Sequence, residues 1–172
     1  MNDLASLQTV PEDSSSTASS TSLITANLAA LNEGRGVLES LSDEQYVASC
    51  QPAFRSTLGA HYRHLIEHYS CFLDSVQNGR ELVCYASRAR NGQIELDRSY
   101  ALQQLNSVAE ELCQLDPASL RGVSVEMRDQ EGLPPASTNL ERELLFLQSH
   151  TILHHAMIAS MCRILGHEVP DN

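Results

Sequence analysis

The stretch from Thr138 to Gly166 constrains the fold most. Leu140, Leu144, Leu147 and Thr151, then Ile158, Met161 and Leu165, recur every three or four residues with one step of seven between the groups, the spacing of one buried helix face. Thr138 and Glu141 have the spacing of a capping box, and Gly166 supplies a stop. A helix this long, apolar along one stripe, has to pack against other helices or a sheet. His154 falls on the same stripe and so points inward. A buried imidazole left without a partner costs about 1–3 kcal/mol, so this position calls for a hydrogen-bond or metal partner.

Three other helices are legible. Ile24, Leu28, Leu31 and Leu38 mark the first, interrupted by Gly34 and Gly36, which should weaken or bend it. A short turn of helix fits Ser42-Asp43-Glu44-Gln45. The second long helix is expected from Ser56 as N-cap to about Gln77, closed by Asn78-Gly79, with Leu58, Leu65, Phe72 and Val76 inward. The third is expected over Glu95 to Leu115, with Leu102, Leu105, Val108 and Leu112 inward, ended by Asp116-Pro117. Val123, Val125 and Met127 alternate with polar residues and predict one short extended segment, followed by loop from Gly132 to Pro135. The expected fold is all-α: a four-helix bundle with long connections and a short extended segment. Residues 1–21, rich in Ser and Thr, are expected to be a flexible tail, leaving 22–172 as one domain.

Charge and composition remove several function classes. The net charge of -11 with no basic cluster argues against nucleic acid and anionic membrane partners. All basic residues are arginine, so lysine Schiff-base chemistry is excluded. Cys50, Cys71, Cys84, Cys113 and Cys162 form no C-x-x-C pair and suggest reduced, mostly buried thiols. With no apolar run long enough to span a bilayer and no basic-then-apolar leader, a cytoplasmic location is expected.

Six of the seven histidines fall in two clusters: His61, His64 and His68 in the second helix, and His150, His154 and His155 in the last. His150 and His154, four apart on one helix face, can converge on one ion. One histidine of the first cluster would complete a three-nitrogen set with an open position, the pattern of catalytic metal sites. Periodicity alone puts His61 and His68 nearer the apolar face than His64. His155 is expected beside the site or in solvent, and His167 on the surface. Glu67 is expected to be a solvated helix carboxylate, or else, like His68, a proton-handling neighbour of the metal. Zincin, phosphate-loop, nucleophile-elbow and di-iron E-x-x-H patterns are absent.

Ser56-Thr57-Leu58-Gly59-Ala60-His61-Tyr62-Arg63-His64 and the later His150-Thr151-Ile152-Leu153-His154 resemble the two histidine blocks of the DinB/YfiT-like family, which is distinct from the DNA polymerase sharing the DinB name. The resemblance spans about Leu23 to Leu165. It implies a four-helix bundle in which His64, His150 and His154 hold one divalent metal ion: zinc, nickel or iron. It also implies a small-molecule substrate, such as a low-molecular-weight thiol or its conjugate, for a transferase or hydrolase, and a homodimer. A non-catalytic metal-binding or dimerising module is the alternative, with His61 or His68 as a further ligand. The family's Gly-Gln after the last histidine pair is Ala156-Met157 here.

Overall fold

The computed structural model describes residues 14–169. Four long helices dominate: α1 (Ser14–Ser40), α3 (Leu58–Gln77), α5 (Arg98–Cys113) and α7 (Leu140–Ile164). Short helices α2 (Asp43–Val47), α4 (Gly92–Leu96) and α6 (Pro117–Leu120) sit in the connections. Each long helix packs on two others: α1 on α7 and α5, and α3 on the same pair. The apolar faces meet in one core, where Leu38, Leu58, Phe72, Leu112, Leu144 and Met161 are fully enclosed. Among the described residues, no helix is long and apolar enough to cross a membrane.

The expected extended segment is β2 (Ser124–Arg128), and it does not stand alone. It pairs in parallel with β1 (Leu82–Cys84) and antiparallel with β3 (Ala136–Asn139), giving the order β1-β2-β3. The protein is therefore mostly helical with a small sheet. β1 is only three residues and β3 carries no hydrophobic alternation, so neither has a periodic signal of its own.

Several boundaries move for local reasons. α1 starts at Ser14, inside the segment expected as tail, and residues 1–13 of that segment lie outside the described residues. Ser20 is buried there, and its hydroxyl donates to Glu141 Oε1 at 2.6 Å, which ties this end of α1 to α7. α1 also runs unbroken through Gly34. At that position a Cβ would come within 2.7 Å of His155 Nε2, so the glycine makes room for a neighbouring helix rather than a bend.

Thr57, not Ser56, caps α3, its hydroxyl accepting from the Ala60 amide at 3.1 Å. Asn139, not Thr138, caps α7: its side-chain oxygen accepts from the Arg142 amide, while the Thr138 hydroxyl donates to Glu143. α5 begins at Arg98, three residues later than expected. Asp97 ends α4 and caps α5 by accepting from the Tyr100 amide at 3.0 Å. The turn before it brings α4 against α3 at Gly59, where a Cβ would lie 2.1 Å from the Glu95 carbonyl oxygen.

Candidate metal centre

α3 and α7 pack side by side, and their histidines meet across the seam. One ring nitrogen from each of His64, His150 and His154 lies within 4.8 Å of the others. His64 Nε2 and His150 Nε2 are 2.9 Å apart. The ring centroids of His64 and His154 are 4.7 Å apart, and those of His150 and His154 are 4.6 Å apart. Nitrogens bound about 2.0–2.1 Å from a metal stand roughly 3 Å from each other, so small side-chain shifts bring this set to coordination distance.

Burial matters as much as distance, because a ligand imidazole must be neutral. Burial, then the neighbouring His68, His154 and His150 and the Arg88 cation, hold His64 down to about 2. Burial and the adjacent histidines take His154 to about 3. His150 is lowered as well, chiefly by burial. At neutral pH the cluster therefore offers lone pairs rather than positive charges.

The outer nitrogens are also engaged. His154 Nδ1 lies 2.9 Å from His61 Nδ1, and His61 Nε2 lies 2.8 Å from Ser56 Oγ. If His154 presents Nε2 to a metal, its proton sits on Nδ1 and is donated to His61. His61 then donates from Nε2 to Ser56, which fixes both tautomers in one chain. His68 donates from Nδ1 to the His64 carbonyl at 2.7 Å, so its Nε2 carries a lone pair. The His68 ring stacks on Tyr85 and lies 4.8 Å from the His150 ring.

Arg88 imposes a further condition. Its Nη2 lies 3.2 Å from His64 Nδ1, and a guanidinium can only donate. His64 therefore accepts at Nδ1 and holds its proton on Nε2, donating to His150. Metal binding through His64 Nε2 requires that proton to shift to Nδ1, with Arg88 turned away. With that one adjustment, the donor set fits a divalent ion.

Sequence periodicity ranked burial correctly. His61 and His68 are 9% and 2% exposed, whereas His64 is half-buried. Yet His64, lying between them, is the residue whose nitrogen joins the α7 pair. His155 stands apart, half-buried against Gly34 and 4.0 Å from Glu33. His167 bonds Ser40 Oγ at 2.9 Å and is only partly exposed.

Glu67 is not solvated. It is 4% exposed, accepts from the Asn91 amide at 2.8 Å, and faces Arg88 Nε at 3.4 Å. Arg88, which also bonds His64, links it to the cluster. Neither Arg88 nor Tyr85 stands in a periodic stretch, so no sequence signal marked them. Ser56 was visible but as a cap, since a serine before a helix is ordinarily one.

The sequence profile of the DinB superfamily matches residues 28–158, which include all three clustered histidines. The chain belongs to the DinB superfamily. No curated protein matches it. The match starts within α1 and ends near the last turns of α7, so it takes in the whole seam where the DinB histidines converge.

Proposed function

We propose that this DinB-superfamily chain is a metal-dependent enzyme acting on a low-molecular-weight thiol or its conjugate, with His64, His150 and His154 holding one zinc, nickel or iron ion. The observation that supports it is the convergence of three neutral imidazoles from two helices within 4.8 Å. Three nitrogen ligands leave a position for substrate, and a divalent ion there lowers the pKa of a bound thiol or water.

The chain's own residues supply the rest. Ser56 and His61 orient His154. His68, with Nδ1 tied to the His64 carbonyl, keeps an unprotonated Nε2 beside His150 and is suited to take a proton. Tyr85 and Phe146 stack on His68 and His150 and limit water on that side. The test is turnover of a chloro-nitroarene with a panel of cellular thiols, with and without added metal. Turnover that needs both thiol and metal, and is lost in His150→Ala, supports the reading; no turnover with any thiol counts against it.

The free Nε2 of His68 favours a second reading, in which that nitrogen fills the fourth position and the site is non-catalytic. X-ray absorption on the metal-loaded chain separates them: four nitrogens and no exchangeable water supports closure, whereas three nitrogens and a water supports catalysis.

A further inference from the structure

Arg88 stands just beyond the turn that follows β1, and three contacts fix its guanidinium. Nη1 donates to the Tyr85 carbonyl at 2.7 Å, Nε faces Glu67 Oε2 at 3.4 Å, and Nη2 donates to His64 Nδ1 at 3.2 Å. Glu67 is itself held in place, accepting from the Asn91 amide at 2.8 Å with Arg63 Nε 3.8 Å away. The guanidinium is therefore anchored on a buried carboxylate and pressed against the outer nitrogen of His64.

The polarity of that last contact is the reverse of what a metal-binding imidazole needs. A histidine that binds a metal through one nitrogen carries its proton on the other and gives it to an acceptor. His154 meets this requirement, because His61 Nδ1 stands 2.9 Å from its Nδ1. At His64 the outer nitrogen instead faces a group that only donates and keeps its protons in a protein. Arg88 thereby favours the tautomer protonated on Nε2, the nitrogen 2.9 Å from His150 Nε2.

We propose that Arg88 is a latch that competes with the metal for His64: the guanidinium and the ion are alternative partners of one ring. The latch rests on the reading of His64, His150 and His154 as metal ligands. The competition is reciprocal, since two sites coupled in binding weaken each other by the same factor. Space for the latch to open is present, because Arg88 also lines a cavity of about 430 Å³ with Ser70, Asn91 and Gln104. Opening leaves the guanidinium its Glu67 and Tyr85 partners, so its charge is not stranded.

The sign of one substitution separates a latch from a support. Removing a group that supports a ligand histidine weakens metal binding about 10–100-fold. Removing a latch strengthens it.

The test uses the full chain at neutral pH, with two readouts: long-range proton–nitrogen NMR of the metal-free imidazoles, and zinc affinity by chelator competition. In the native chain His64 is expected to carry its proton on Nε2. In Arg88→Met the proton should move towards Nδ1, and zinc should bind about tenfold more tightly. Arg88→Lys, which keeps a cationic donor, should fall between the two. Arg88→Met combined with Glu67→Gln removes both members of the buried pair, while Arg63 retains Glu95 at 3.1 Å. The same tightening is expected there, which keeps the test open if the single variant unfolds. A native His64 protonated on Nδ1, or zinc binding no tighter in the Met variants than in the native chain, would overturn the latch and leave the metal reading standing. No zinc binding by any of these chains would overturn the metal reading and the latch with it.

Discussion

His64 Nε2 lies 2.9 Å from His150 Nε2 across the seam between α3 and α7. Two imidazole nitrogens this close need something between them: a proton on one, or an ion bound by both. A stable charge on either ring is costly, because burial holds both pKa values down and the neighbouring histidines add to the effect at His64. The seam therefore keeps a set of neutral lone pairs inside a folded helix interface, where water would otherwise have to satisfy them.

Acidification should unfold the metal-free chain well before ordinary carboxylates titrate. His64, His68 and His154 have folded-state values of about 2, 4 and 3. Their unfolded value is about 6.5. With the folded values depressed, the unfolded state binds the extra protons, so stability is full above about pH 6.5 and falls as pH drops towards 4. Each such imidazole contributes a slope of about 1.4 kcal/mol per pH unit in that window. Urea denaturation at pH 7, 6 and 5 should show a steep decline, and a flat profile would refute it.

The Ser56–His61 chain should tune metal affinity without contacting the metal. Replacing His61 by Phe removes the acceptor for His154 Nδ1. Affinity measured by chelator competition is expected to fall about 10–100-fold. Ser56→Ala, one step further out, should have a smaller effect in the same direction. An unchanged affinity in His61→Phe would mean that His154 is oriented by packing alone.

Glu67 should matter for stability. Glu67→Gln leaves the Arg88 guanidinium, 14% exposed, without its nearest counter-charge. Loss of one member of a buried pair costs about 3–5 kcal/mol. Thermal and chemical denaturation would register this directly; a loss below about 1 kcal/mol, the range of surface pairs, would contradict the buried-pair assignment.

Two glycines make a matched comparison. Gly59→Ala forces a Cβ towards the Glu95 carbonyl and is expected to cost about 1–3 kcal/mol or more. Gly36→Ala meets nothing within 4 Å inside α1 and should gain about 0.5–1 kcal/mol. Equal effects of the two substitutions would rule out the close approach of α3 to α4.

The long helices were legible because each repeats its apolar residues at helical spacing and buries that stripe, as Leu140, Leu144, Leu147 and Ile158 show. The histidine pair on α7 was legible for the same reason: a polar residue on such a stripe stands out. Choosing among His61, His64 and His68 was beyond periodicity, since all three lie within one arc; the family resemblance pointed to His64, and the cross-seam geometry groups its nitrogen with the α7 pair. β1, β3 and Arg88 left no trace because their positions come from tertiary pairing, not from local pattern. The same holds for the buried state of Glu67, which a helix-surface pattern does not reveal.

Metal content tests the central claim most directly. Elemental mass spectrometry on the native chain, beside a His150→Ala, His154→Ala double variant, is expected to find about one divalent ion per chain in the first and almost none in the second. A native chain that stays below about a tenth of an equivalent after incubation with zinc, nickel and iron would contradict it.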